Sequence, residues 1–249
     1  MRRNKALEEL LSNEGLKDGL NTQMLDKLVE QHANESKRWI PPKDHFSVSK
    51  IFYCPRGAFL DRAGVPAMSG AHGLRRMLFG IKIHEMMQEL LKKVPGFGYV
   101  EERLEYPSLE IVGRIDGCFI DRGVLLEMKT AGGFQTKKMK NGWIPEYYQS
   151  QANFYCWLWN KLKADKLHSI WWVVLDRDSL DWIKYEPRLM NEEIALAAVA
   201  HCAKLNTMWG NGALPASKNK CEVSCEYFSI CKQAEVLTDI LPGGKLCGM

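Results

Sequence analysis

Glu127 and Lys129 follow the apolar run Val124-Leu125-Leu126 and stand two residues apart. In an extended strand that spacing puts both side chains on one face. Upstream, beyond the turn signal Asp121-Arg122-Gly123, Asp116 ends a Gly113-Arg114-Ile115-Asp116 run and can approach the same face across a hairpin. Two carboxylates and an ammonium suit phosphodiester hydrolysis. The carboxylates hold a divalent cation that acidifies bound water and offsets phosphate charge. The lysine orients the nucleophile and stabilises the added negative charge. Mg²⁺ prefers such an oxygen-rich site. The carbonyl of Met128 would face away from its neighbours' side chains in an ideal strand, so it ligates only if the strand is distorted. Glu-x-Lys alone is commonplace, and Glu35-Ser36-Lys37 reads as a solvated pair. Taken alone, Glu127 and Lys129 read as a cross-strand surface pair. The apolar run before Glu127 and the position of Asp116 favour the chemical reading.

Other side chains can join them. His84 shares a helical stripe with Met77, Ile81 and Leu91 and so faces the domain interior, as a core histidine or as a metal ligand. Gln151 and Tyr155, at i and i+4, are neighbours on a later helix, where they form a polar rim or steady the lysine. Between them and the strand lies Phe134-Gln135-Thr136-Lys137-Lys138-Met139-Lys140, then Trp143. Lys137, Lys138, Lys140 and Trp143 suit phosphate contacts and base stacking on a single strand, although short lysine runs are usually solvated loop.

Cys221, Cys225 and Cys231 crowd one short segment, while Cys118, Cys156 and Cys202 sit in apolar runs and read as core. In a reducing compartment a tight cysteine group reads as metal ligation. Cys54, followed by Pro55, is the candidate fourth thiolate, with Cys247 the alternative. Zinc takes four thiolates too, usually from two short knuckles. A distant cysteine plus a compact triplet is more typical of an iron–sulfur cluster stapling chain ends.

The elements that must position these groups are legible in outline. Two short helices are expected in 5–38, ended by Pro41-Pro42, then a helix carrying Phe52, Tyr53, Cys54, Phe59 and Leu60, with Ser47 and Ser49 as caps. The spacing predicts a long helix over 72–92, a meander of three or four strands over 99–129, and a helix from Pro145 to about Lys163. A buried strand over 169–175 with a partner at 182–185, and an Ala-rich helix over 191–209, complete the pattern. The fold class is α/β or α+β around a mixed central sheet flanked by helices. The 249 residues, net charge +4 and pI near 8.5 fit a globular protein, mildly disposed to nucleic acid. No stretch approaches the ~20 apolar residues of a membrane span, and no signal core follows the basic start; a cytoplasmic protein is expected.

Assembled, these residues resemble the RecB-like branch of the PD-(D/E)XK nucleases, and within it the CRISPR-associated RecB-like exonuclease family with its phage relatives. The resemblance runs from about Ser47 to Cys231 and rests on His84, Gly113-x-x-Asp116, Glu127-x-Lys129, Gln151-x-x-x-Tyr155, Cys54-Pro55 and the three late cysteines, all in order. The gap between Cys221 and Cys225 holds three residues where that family's pattern has two. The resemblance implies a restriction-endonuclease-like core over 47–249 closed by a four-cysteine [4Fe–4S] cluster, with 1–46 a helical appendage. It implies that His84, Asp116, Glu127 and the Met128 carbonyl hold Mg²⁺ or Mn²⁺. Lys129 then assists attack on the phosphate, supported by Gln151 and Tyr155, and an extra acidic residue, Glu101 or Glu102, stands in the strand before Asp116. The implied activity is a deoxyribonuclease, exonuclease rather than endonuclease, with single-stranded DNA favoured. The alternative is a non-catalytic DNA-binding or scaffold subunit, against which the intact Asp116, Glu127 and Lys129 argue. The chain has no Gly-x-x-x-x-Gly-Lys-[Ser/Thr] loop, so no helicase motor is expected within it, and whether a helicase, integrase or recombination partner acts in trans stays open.

Overall fold

The computed structural model describes residues 44–65 and 71–216, with Val29, Tyr227 and Cys231. Most of the expected N-terminal appendage, and Cys221, Cys225 and Cys247, lie outside the described residues. Strand β1 (Phe46–Ser47) leads into α1 (Val48–Tyr53) and α2 (Pro55–Arg62). Phe46 is fully buried, so the core takes in chain before Ser47. One helix was expected across Cys54. Two form, because proline disfavours a helical conformation at the residue before it. Cys54 is accordingly extended (φ −150°, ψ 96°) and caps α2, its sulfur accepting the Gly57 N–H at 3.4 Å.

Helix α3 (Ala71–Leu91) follows, then β2 (Phe97–Gly98), β3 (Arg103–Tyr106), β4 (Ile111–Arg114), β5 (Gly117–Phe119) and β6 (Val124–Ala131). The expected single meander is divided between two sheets. β4 pairs with β3 and, in parallel, with β1, whereas β5 pairs with β2 and β6. The chain crosses from one sheet to the other at Ile115-Asp116. Gly117 (φ +156°) makes the bend: a Cβ there would stand 2.4 Å from the Phe97 ring.

Strand β6 is the axis of the larger sheet. It runs antiparallel to β5, across a turn closed by Gly123 (φ 61°), and parallel to β7 (Ser169–Asp176) over eight residue pairs, Glu127 opposite Trp172. A parallel pair needs a long crossover, here α4 (Phe134–Lys140) and α5 (Glu146–Leu162). The segment expected as a basic loop is thus mostly helix, anchored by buried Thr136 and Met139. β8 (Trp182–Lys184) and β9 (Arg188–Leu189) pair with β7. α6 (Glu192–Gly210) packs on α5 through Ala195, Ala198, Cys202 and Leu205, whose spacing of three and four marks one buried face. Its cap Asn191 accepts from the Ile194 N–H and is itself held by Asn153 of α5. Val124 through Met128 are all buried, as a strand covered on both faces requires. No helix among the described residues is long and apolar enough to cross a membrane.

Candidate active site

Asp116 stands at the bend between the sheets, where β6 runs past the end of its pairing with β5. There the Met128 N–H has no strand partner and donates instead to Asp116 Oδ2 at 2.7 Å. An extended residue directs its N–H and C=O to the same strand edge, so this bond puts the Met128 backbone on the Asp116 edge. The other oxygen, Oδ1, is 3.3 Å from His84 Nδ1 on α3, which crosses close to β6 at Gly80 and Thr130. Glu127 and Lys129 share a face as their spacing requires: Lys129 Nζ is 2.7 Å from Glu127 Oε2 and 4.0 Å from Asp116 Oδ2.

Burial governs the charges. Glu127 is 1% exposed, and its Oε1 is buried with no hydrogen-bond partner among the described residues. Burial pushes its carboxyl well above the usual carboxylate range, against the pull of Lys129. Burial would raise Asp116 as well, but His84, Lys129 and the Met128 N–H outweigh it and hold this carboxyl low. The ammonium of Lys129 resists its own desolvation because Glu127 and Asp116 flank it, so it stays protonated. Burial lowers His84, yet Asp116 prevails and the imidazole is raised. His84 is 26% exposed, so it faces an open groove between α3 and the sheet rather than a closed interior.

Gly113 and Tyr155, forty-two residues apart, are one construction. A Cβ at Gly113 would lie 2.6 Å from Tyr155 Oη, 2.7 Å from its Cε1 and 2.9 Å from Val48 Cγ2. The buried phenol, hydrogen-bonded to the Arg114 backbone, fills the space a side chain would need. Gln151, one turn earlier on α5, is buried on the same side. A groove of about 920 Å³ opens here, lined by His84, Glu101, Asp116, Lys129, Gln151 and Tyr155, and farther along by Lys50, Arg62 and Arg76.

Glu101 belongs to this groove and Glu102 does not. Glu101 accepts from Gln88 of α3 at 2.6 Å and pairs with Arg114 at 2.9 Å. Glu102 turns to Lys163 at 2.5 Å. Both lie in the turn before β3 rather than in a strand. Gln88, Arg114 and Tyr148 were not anticipated as site residues. The Tyr148 ring lies under Lys129, with Nζ 5.4 Å from its centroid. Only the side-by-side spacing of Tyr148, Gln151 and Tyr155 on one helix hinted at it.

Among the described residues no three His, Cys, Asp or Glu side chains are already gathered about one point; they meet in pairs. The donor set nevertheless fits a hard divalent cation. The imidazole of His84 and the carboxylates of Asp116 and Glu101 line one groove, and Glu127, paired with the groove residue Lys129, holds a buried oxygen with no partner among the described residues, an uncompensated desolvation cost that a cation would offset.

Of the basic segment, Lys137 and Lys138 are exposed, and Lys138 Nζ lies 4.8 Å from the Phe134 ring and 5.2 Å from Trp143. Lys140 is instead committed to Asp176 (3.0 Å) and Asp181 (3.8 Å). Cys118, Cys156 and Cys202 are fully buried, and burial pushes their thiols up. Cys54 and Tyr227 both approach Gly57, the sulfur at 3.5 Å and the ring at 3.6 Å from a Cβ built there. Cys231 lies one turn beyond Tyr227, its N–H bonded to the Tyr227 carbonyl at 2.7 Å.

No protein family matches the chain by sequence, and no curated protein matches it either. Solved structures do match. The crystal structure of LHK-Exo in complex with dAMP is similar with a TM-score of 0.51 and 12% identity, covering 81% of this chain and 100% of that one. SSO0001 aligns with a TM-score of 0.49 and 16% identity over 86% of this chain and 97% of its own. The alkaline exonuclease LHK-Exo from Laribacter hongkongensis gives 0.44 and 14% over 78% and 95%. The first of these shows the fold alone: this chain has the mixed α/β architecture of LHK-Exo, with mixed sheets flanked by helices.

Proposed function

We propose that this protein is a metal-dependent deoxyribonuclease, an exonuclease acting on single-stranded DNA. The observation that carries the reading is the meeting of His84, Asp116 and Lys129 in one groove, with Glu127 buried against Lys129 and one of its carboxylate oxygens without a partner among the described residues. The fold of LHK-Exo, whose complex holds dAMP, supports it. His84, Asp116, Glu127 and the Met128 carbonyl would hold Mg²⁺ or Mn²⁺. When bound, such an ion acidifies water and offsets charge on the scissile phosphate.

The chain's own residues do the rest. Lys129, kept protonated by two carboxylates, directs its N–H groups at the oxygens that gain charge in the transition state. Glu127 and Asp116 fix the ammonium from two sides, limiting the reorganisation that the reaction demands. Tyr155 holds Arg114 by its backbone and Gln151 offers an amide to the same groove, while Glu101 fixes Gln88 and Arg114 from the α3 side.

Cys54, Cys221, Cys225 and Cys231 would bind a [4Fe–4S] cluster, with zinc the alternative metal. The packing of the Tyr227 ring and the Cys54 sulfur against the same glycine of α2 supports a joint between these distant segments. The activity is tested with end-labelled single strands of one sequence, linear and circularised, in Mg²⁺ or Mn²⁺. Rapid loss of nucleotides from the linear form alone is expected. Equal rates on both would identify an endonuclease.

A further inference from the structure

Helix α4 is firmly held, and it and the turn after it present two solvent-exposed aromatic rings, Phe134 and Trp143. Thr136 and Met139 are buried beneath it, Gly133 donates to Asp178 at 2.6 Å, and Lys140 is tied to Asp176. The Tyr185 phenol stands 2.9 Å from the Met139 carbonyl and 3.0 Å from that of Trp143, pinning both ends of the turn after the helix with one hydroxyl. From this fixed base Phe134 projects 72% exposed and Trp143 43% exposed. The Lys138 ammonium lies against both rings. Neither Lys137 nor Lys138 forms an ion pair with a carboxylate among the described residues.

The platform is coupled to the site. Gln135, beside Phe134, donates to the Tyr147 hydroxyl at 3.0 Å; Tyr147 packs on Tyr148 at 4.3 Å, and Tyr148 lies under Lys129. Phe134 follows Lys129 by five residues, so its backbone is at most ~18 Å away. That is roughly five stacked nucleotides.

Scattered exposed apolar side chains need no explanation. Two large rings presented by a pinned element around one ammonium that pairs with no carboxylate among the described residues are a different arrangement, because the rings offer faces for stacking and the ammonium offers charge for phosphate. Single-stranded nucleic acid has that alternation of flat bases and anionic links, and a duplex hides its base faces. We infer that Phe134, Lys138 and Trp143 form a base-stacking subsite that holds an unpaired strand within a few nucleotides of Lys129. The inference takes from the preceding reading only that the groove receives DNA; to the sequence expectation for Lys138 and Trp143 it adds Phe134 and the fixed geometry of all three, which would make an unpaired strand the preferred form.

The test is fluorescence anisotropy of a labelled thymidine oligonucleotide, and of an abasic sugar–phosphate chain of equal length, bound to the full chain in EDTA. Phe134→Ala and Trp143→Ala should each weaken oligonucleotide binding about tenfold, while abasic binding changes less than roughly twofold. Trp143→Phe should restore most of the loss. Lys138→Gln should weaken both ligands and reduce the salt slope by about one, whereas the ring variants leave the slope alone. Unchanged oligonucleotide binding in both ring variants would overturn the subsite. So would equal losses on both ligands, which would mark the rings as structural or as a protein-docking surface. Cleavage by the unaltered protein in Mg²⁺ or Mn²⁺ is scored separately. Ring-dependent binding without cleavage would refute the nuclease reading and uphold the subsite; cleavage with ring-independent binding would do the reverse.

Discussion

Gly113→Ala isolates the contact that joins the strand of Asp116 to the helix of Tyr155. Gly113 lies within β4 and does not have a left-handed φ, so alanine adds no backbone strain, slightly stiffens the unfolded chain, and can destabilise only through its steric contacts. The new methyl would meet the Tyr155 oxygen at 2.6 Å, its Cε1 at 2.7 Å and Val48 Cγ2 at 2.9 Å, where real Cβ atoms essentially never stand. Tyr155 is 2% exposed and Val48 fully buried, so neither can swing to solvent. One methylene forced into a packed core costs about 1–3 kcal/mol. In a chain of this size each kcal/mol is worth roughly 2–4 °C in Tm. Gly113→Ala should therefore melt several degrees lower and cleave DNA poorly, since its relief requires moving Tyr155 and the Arg114 backbone beside Asp116. Tyr155→Phe should cost about 1 kcal/mol for the lost hydrogen bond. In the double variant the nearest clash is gone, so the two losses should fall short of their sum by more than the roughly 0.5 kcal/mol typical of independent sites. Differential scanning calorimetry of the four proteins measures it. A Gly113→Ala protein as stable as the parent, or strict additivity, would refute the reasoning.

The acidic groups give two further outcomes. Asp176, held low at about 2 by Lys140, the Asp178 N–H and Ser179 against the cost of burial, stabilises the fold above its ordinary value of 3.8 and loses that contribution as pH falls toward about 2. The Tm gap between the parent and Asp176→Asn should accordingly be widest at neutral pH and shrink below about pH 4; a gap that grows with acid would contradict the ion pair. Glu101→Gln should slow cleavage by releasing Gln88 and Arg114 beside the groove, while Glu102→Gln, on the Lys163 side, should leave cleavage alone; the reverse order in a nuclease assay would mean that the wrong glutamate has been placed at the site. Cys54→Ser should lose iron and brown colour by elemental analysis and absorbance, whereas Cys118→Ser, Cys156→Ser and Cys202→Ser keep them. Stoichiometric zinc in colourless parent protein would replace the cluster with a zinc staple.

What the sequence made legible followed from local rules. The period-two run ending in Glu127-Met128-Lys129 and the turn at Gly123 located the hairpin, and i, i+4 spacing located Gln151 and Tyr155 on one helix face. Less local features escaped. The division of the strands into two sheets depends on Ile115-Asp116, where a bend is specified by Phe97 packing on Gly117, a contact that no pattern in 112–119 announces. The break at Cys54 was readable from Pro55, yet the apolar periodicity across it favoured one helix. Lys140 looked like its neighbours Lys137 and Lys138, and only the placement of Asp176 at the end of β7 sets it apart. Glu101 and Glu102 differ by one position in a turn, so their opposite directions become apparent only once Gln88, Arg114 and Lys163 are in place.

Lys129 is the residue on which cleavage most directly depends. End-labelled single-stranded DNA incubated with the full chain should be degraded in Mg²⁺ or Mn²⁺ and left intact in EDTA. Lys129→Ala should bind the same DNA with little loss, because affinity comes mainly from phosphate contacts elsewhere, and cleave at least ~10²-fold more slowly, the usual consequence of removing one group that stabilises developing charge. Cleavage by Lys129→Ala at the parent rate would contradict the assignment of this site.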